Sequence, residues 1–187
     1  MMKNERPNLI IDLDETLIHS VPTDEIQDEQ YLNCIGKVPI HNMEDYYLVF
    51  ERPNLQQFLD HIFKNYNVSV WTAASKDYAL FIIERCLLTK PNRKIDYIFF
   101  SHHCDLARQM KKKSQKDLRM LREEFGLGEK FDISNVVLLD DLRENLKGQE
   151  DNSVLIKSWE GDNVHDNSLI DAQKKIKKIV ERERATI

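Results

Sequence analysis

Cysteine is scarce in this sequence. Cys34, Cys86 and Cys104 are spread over 187 residues, odd in number, with no CxxC pair among them. That speaks against a disulfide framework and against a zinc site, and for a reducing compartment, cytoplasmic or nuclear. Long apolar runs are missing too. None approaches the ~20 residues of a membrane span. The opening MMKNERPN lacks the apolar stretch of a signal peptide. Positive charge is not in excess: 27 Lys and Arg face 32 Asp and Glu, a net charge of -5. Direct nucleic-acid binding is therefore not expected, nor is membrane association. Internal repeats and low-complexity segments are absent. What remains is the composition of a folded soluble protein, 41% hydrophobic and 32% charged, long enough for one domain with a sizeable core.

The apolar pattern alternates between two periods. NLIIDL (8–13), NVSVWT (67–72), KIDYIFF (94–100), SNVVLLDD (134–141) and NSVLIKSW (152–159) read as strands. RPNLQQFLDHIFKNY (52–66) opens with proline in its first turn and repeats Leu55, Phe58, Leu59, Ile62 and Phe63 at helical spacing. SKDYALFIIERCLL (75–88) has Ser75 as an N-cap. Residues 108–125 are basic and helical towards their end, and 167–184 form a closing amphipathic helix. Residues 27–51 carry two β-prone runs around NMED, a hairpin insert. Strands alternating with helices predict an α/β fold: a mainly parallel, Rossmann-like sheet with helices on both faces. Ligands in such sheets bind beyond the carboxyl ends of the strands, where Asp12, Thr72 and Asp141 fall.

Asp12 and Asp14 are two residues apart, at the end of an apolar strand. Like charges so close to a core need compensation. Thr16 lies two further on, within reach of the loop and able to brace it. Asp140 and Asp141 end a second strand. Converging carboxylates of this kind suit a hard cation, Mg²⁺ above all. Mg²⁺ commonly works with phosphate, and the sequence offers carboxylates, the Thr72 hydroxyl and the lysines of MKKKSQKDL for phosphoryl transfer.

These residues carry a resemblance. DLDETL is similar to the D-x-D-x-T signature of the haloacid-dehalogenase superfamily. The longer series IIDLDETLIHS, ERPNLQQFL, VWTAAS, KDL, VVLLDD and IKSW resembles the small phosphatases of the RNA polymerase II C-terminal tail, the NLI-interacting-factor-like family, over roughly residues 8–182. The resemblance implies one such domain over 1–187. It implies an Mg²⁺-dependent phosphatase of phosphoserine and phosphothreonine in protein substrates; a monomer is expected. Asp12 is then the nucleophile that becomes an aspartyl-phosphate, and Asp14 the acid/base. Thr72 and Lys116 hold the phosphate. The metal is held by Asp12, the Asp14 backbone carbonyl and Asp141, with Asp140 and Thr16 in support.

Several positions depart from the family pattern. Asn54 stands where glycine is usual, and LREN follows Asp141 in place of Ser-Pro. The arginine expected near Ser101 is missing, with Arg108, Lys111, Lys112 or Lys113 as its replacement. Two other functions compete: a small-molecule phosphatase or phosphotransferase of the same superfamily, and a non-catalytic adaptor.

Overall fold

The computed structural model describes residues 6–26 and 29–186. Residues 1–5, part of the stretch read for a leader, and residues 27–28, where the insert was expected to begin, lie outside the described residues. In chain order the main elements are β1 (Asn8–Ile11), β2 (Ile18–Pro22), β3 (Ile40–Met43), β4 (Tyr47–Glu51), α1 (Leu55–Asn65), β5 (Asn67–Trp71) and α2 (Lys76–Ile82). They continue with β6 (Ile95–Phe99), α3 (Ser101–Gln109), β7 (Val136–Asp140), β8 (Ser153–Leu155) and α4 (Ser168–Thr186).

Five strands form one parallel sheet in the order β6-β5-β1-β7-β8. β1 is central: Leu9 pairs with Val68 on one side and Val137 on the other. A central parallel strand is covered on both faces, which is why NLII is apolar throughout rather than alternating. Leu9 and Ile11 pack with the buried faces of α1, α2 and α4. Ile10 packs the other way, with Trp71, Phe99, Cys104 and Ala107. Each such buried aliphatic side chain contributes about 1.5–3 kcal/mol. All five apolar positions read for α1 are buried.

A second, antiparallel sheet has the order β2-β4-β3. The hairpin at NMED is there, with Glu44 and Asp45 both at positive φ, the twist that tight hairpins favour. The insert is larger than the hairpin expected, because β2, which directly follows the turn of residues 12–17, joins it as a third strand. Val21, Phe50 and Trp159 are buried together beneath this sheet.

Other boundaries shifted. SHHC opens a helix, α3, where no helix was expected. Its face is mostly charged or polar, with only Cys104 and Ala107 buried, so it shows little periodicity. The strand expected over 152–159 pairs only over Ser153–Leu155. Asn54, in the place of the usual glycine, has a φ of 67°. Asparagine tolerates this left-handed region better than most residues, and its side chain donates to the Asp166 carbonyl at 3.0 Å.

Candidate active site

The central strand ends where the chemistry begins. The Asp12 amide still bonds to the Leu139 carbonyl at 3.0 Å, so the sheet ladder aims the Asp12 side chain. The chain then turns tightly: the Leu17 amide reaches the Leu13 carbonyl at 2.8 Å, and Glu15 takes a φ of 56°. Arg52 holds this turn from beneath. Its guanidinium donates to the carbonyls of Glu15 and Thr16, at 3.2 and 2.9 Å, and to the Lys157 carbonyl and both Asp166 oxygens.

Asp12 is 6% exposed. Its Oδ1 accepts from the Lys116 ammonium at 2.5 Å, and its Oδ2 from the Thr16 hydroxyl at 3.1 Å. Lys116 also donates to Asp140 at 2.6 Å. Asp140 is fully buried and accepts further from the Leu142 amide and the Asn145 side chain. One carboxylate oxygen each from Asp12, Asp140 and Asp141 lie within 4.8 Å of one another. Asp140 is thus in direct contact with Lys116. Lys116 is placed by its loop: Ser114 accepts from its amide, and Gln149 donates to its carbonyl at 2.8 Å.

Two carboxylates share one ammonium and a third, Asp141, lies beside them, so negative charge is in surplus. Burial pushes the Asp12 carboxyl up, to about 8. Lys116 opposes this, while the charges of Asp140 and Asp14 add to it. Burial also pushes Asp141 up, to about 6, again helped by Asp140. For Lys116 burial disfavours the charge, but Asp12 and Asp140 outweigh it and hold the ammonium protonated. A divalent cation relieves this surplus, and an all-oxygen donor set is the kind that takes Mg²⁺. The residues present fit that ion.

Asp14 points elsewhere. Its Oδ1 accepts from the Tyr78 hydroxyl at 2.5 Å, and that hydroxyl also meets Ser20 Oγ at 2.5 Å. Its expected contact with an ion was through the backbone carbonyl, which leaves the side chain free for Tyr78. Burial raises the Asp14 pKa, and the Tyr78 hydrogen bond restrains the rise. Thr72 is fully buried just past the end of β5, the neighbour of β1. Its hydroxyl oxygen accepts from the Ala74 amide at 3.0 Å, which leaves its O–H free to donate. A cleft of about 450 Å³, open to solvent, runs beside Asp14 between the two sheets, lined by Ser20, Tyr47, Ser75 and Tyr78 among others.

Of the four basic residues named as replacements for the missing arginine, Arg108 and Lys112 are engaged elsewhere. Arg108 pairs with Asp105 on its own helix. Lys112 pairs with Glu123 at 3.0 Å and Glu124 at 3.3 Å. Lys113 lies along Gly148, and Lys111 is exposed. Reading the sequence also missed Arg52, Asn145, Gln149 and Tyr78. A polar residue that will be buried looks like any other polar residue in a sequence; only ERP, within the family-like series, hinted at Arg52.

A parallel α/β sheet with an acidic pair after its first strand and a lysine held against it defines a haloacid-dehalogenase-like phosphatase fold. The chain belongs to the NLI interacting factor-like phosphatase family, whose pattern matches residues 7–186. It is 38% identical over 183 residues to the CTD phosphatase-like protein 355R of invertebrate iridescent virus 3, covering 93% of this chain and 97% of that protein. It is 43% identical over 170 residues to the protein of the same name in invertebrate iridescent virus 6, covering 87% and 93%. CTD nuclear envelope phosphatase 1B of Danio rerio is 30% identical over 162 residues, covering 84% of this chain and 61% of that protein. Among solved structures, the RNA polymerase II CTD phosphatase Fcp1 shares the fold, with a TM-score of 0.55 at 22% identity. That match covers 95% of this chain and 51% of the solved one, so the chain spans about half of its length.

Proposed function

We propose that this chain is an Mg²⁺-dependent phosphatase that removes phosphate from serine or threonine in a protein tail, through an aspartyl-phosphate on Asp12. The observation that carries the proposal is the pairing of a buried nucleophile with a buried cation. Asp12 sits 2.5 Å from the Lys116 ammonium, with Thr16 holding its other oxygen. In this reading an Asp12 oxygen attacks phosphorus while Asp14 donates its proton to the departing serine or threonine oxygen. Asp14 then takes a proton from the water that attacks the aspartyl-phosphate, which frees phosphate and restores Asp12. The raised pKa of Asp14 suits a group that must first hold a proton. Thr72 and Lys116 donate to the phosphoryl oxygens, each preorganised contact contributing about 3–4 kcal/mol in the transition state. Mg²⁺, held by Asp12, Asp141 and the Asp14 carbonyl, would neutralise charge on the phosphoryl group. Asp140 keeps Lys116 in place, and Thr16 orients Asp12.

The open cleft beside Asp14 favours a peptide over a metabolite, since nothing among the described residues covers it. Relatives carry CTD phosphatase names, and a solved Fcp1 structure is bound to beryllium fluoride. We further propose a monomer working in the cytoplasm or nucleus, with a phosphorylated protein as partner and no nucleic-acid or membrane binding.

The test is hydrolysis of phosphopeptides, sugar phosphates and p-nitrophenyl phosphate with and without Mg²⁺, with beryllium fluoride as inhibitor. Phosphopeptides are expected to be the preferred substrates, and Asp12→Asn to lose more than about 10⁴-fold in turnover. Turnover that persists in Asp12→Asn, or that ignores Mg²⁺, overturns the proposal.

A further inference from the structure

The three buried cysteines are not equivalent. The Cys34 thiol donates to the Gly161 carbonyl at 2.8 Å, and the Cys104 thiol to the Thr72 carbonyl at 3.8 Å. No such acceptor serves the Cys86 thiol among the described residues. It lies with Glu51 and His41 instead, one ligand atom of each within 4.8 Å of the others.

These residues come from three places. His41 is on β3, Glu51 ends β4, and Cys86 sits in a π-helical turn, Ile83–Leu87, that continues α2. The Leu88 amide bonds to the Ile83 carbonyl at 2.8 Å, the five-residue step of that turn. Such turns often occur at functional positions. The Glu51 side chain is 4% exposed, with Oε1 2.9 Å from His41 Nε2, and no lysine or arginine pairs with it among the described residues. Its other oxygen accepts from Gln56 at 2.9 Å. Gln56 also donates to the Cys86 carbonyl at 3.0 Å and is itself held by Arg93 at 2.7 Å. One face of the carboxylate is thus fixed by a frame, and the other is turned towards an imidazole and a thiol. Ligating carboxylates in metal sites are commonly held from behind in this way.

We propose that His41, Glu51 and Cys86 form a second cation site, for a borderline-soft divalent ion of the zinc class, separate from the all-oxygen cluster at Asp12. The donor set is one nitrogen, one oxygen and one sulfur, which suits such an ion and not Mg²⁺. A separation of 2.9 Å is what two ligand atoms about 2.0–2.1 Å from one ion span when they meet near a right angle. Tetrahedral binding needs that gap to open slightly and the sulfur to close in, movements available to side chains. On binding, the Cys86 S–H bond breaks and its proton leaves to solvent as the sulfur–metal bond forms; the hydrogen on His41 Nε2 is displaced as well, the neutral imidazole then carrying its proton on Nδ1, and no electrons are transferred. The His41 side chain, 25% exposed, gives the ion a way in, and water completes the coordination. The sequence spacing that spoke against zinc does not bear on this site, because the fold joins residues that no spacing rule connects. The bound ion would tie the insert sheet to α2, the helix that carries Tyr78.

The test titrates the purified protein with Co²⁺ in excess Mg²⁺, which keeps the hard-ion cluster filled. A single equivalent of Co²⁺ is expected to raise a thiolate-to-cobalt absorption band, and Zn²⁺ to abolish it and raise the melting temperature. Cys86→Ser is expected to lose the band, and His41→Gln to weaken binding at least about tenfold, with turnover in Mg²⁺ unchanged in both. If Cys86→Ser does not fold, as judged by circular dichroism, His41→Gln at its partly exposed position carries the same test. A wild-type protein without the band overturns the proposal. So does a band that survives in Cys86→Ser, because the thiolate would then be Cys34 or Cys104.

Discussion

Two buried cations, Arg52 and Lys116, both contact the turn of residues 12–17, and their surroundings differ. Arg52 has five N–H donors and uses all of them, on three carbonyls and the two oxygens of a single carboxylate, Asp166. Its charge is balanced one to one. Lys116 meets two carboxylates directly, and a third, Asp141, is within 4.8 Å of both. The difference appears in the acids. Burial works against ionising Asp166, yet Arg52 and Ser168 more than offset it and hold its pKa below the ordinary value. Burial of Asp12 wins over Lys116, and its pKa rises. A balanced buried pair is scaffolding. A surplus of one sign, kept inside a fold at a cost in stability, marks where a ligand of the opposite sign belongs.

Among the changes that probe this contrast, the largest effect is expected from Lys116→Met. It should cut turnover about 10²–10³-fold, the loss of one preorganised donor. It should also destabilise the fold by about 3–5 kcal/mol, because Asp12 and Asp140 are left buried with no cation beside them. Activity assays and denaturant unfolding read the two losses separately. Turnover near that of the wild type would break the contrast.

Arg52→Met should cost a similar 3–5 kcal/mol in unfolding experiments, with turnover falling mainly through loss of the folded fraction. The pH dependence has a definite sign here. Asp166 has a lowered pKa in the folded protein, so its contribution is present above the ordinary carboxylate range and is lost as pH falls through the lowered value. Acid unfolding should show that loss in the wild type and not in Arg52→Met. An inactive Arg52→Met of undiminished stability would make Arg52 something other than scaffolding.

Asp141→Asn probes the surplus from the other side. A carboxyl raised to about 6 makes the metal-free protein less stable as pH climbs from about 4 to 6, since the unfolded chain gives up that proton more readily. The amide should flatten this slope. It should raise metal-free stability by about 1 kcal/mol, allowing for the partly exposed position, while weakening Mg²⁺ binding measured by calorimetry. A loss of metal-free stability would contradict the surplus.

The smallest effect is expected from Tyr78→Phe, about tenfold or less in kcat. Tyr78 restrains the Asp14 pKa, so its removal should move the alkaline limb of the kcat profile to higher pH. A profile that keeps its shape would show that Tyr78 only packs against the cleft.

Much of this was legible in the chain. The alternation of apolar strands and amphipathic helices carried the parallel sheet, because a central strand buried on both faces has to be apolar throughout. α1 was readable from five apolar residues on one face. β2 was not, because IHSVP has no partner until NMED folds the neighbouring strands against it. α3 was not, because SHHCDLARQ is largely polar on its exposed side. Lys116 could be selected among the neighbouring lysines only through the family-like KDL, since in composition all of them look like a solvated face.

Local order along the chain determined which residues end the strands, and so which acids stand at the carboxyl edge of the sheet: Asp12 and Asp14 after one strand, Asp140 and Asp141 on another. Whether those acids meet a cation depends on residues about a hundred positions apart, and only the folded chain brings Lys116 to Asp12 and Arg52 to Asp166. The physical reason is that hydrophobic periodicity is a local property that can be read along a sequence. Balance of buried charge is a property of a place in space, and that place exists only once the sheet has formed.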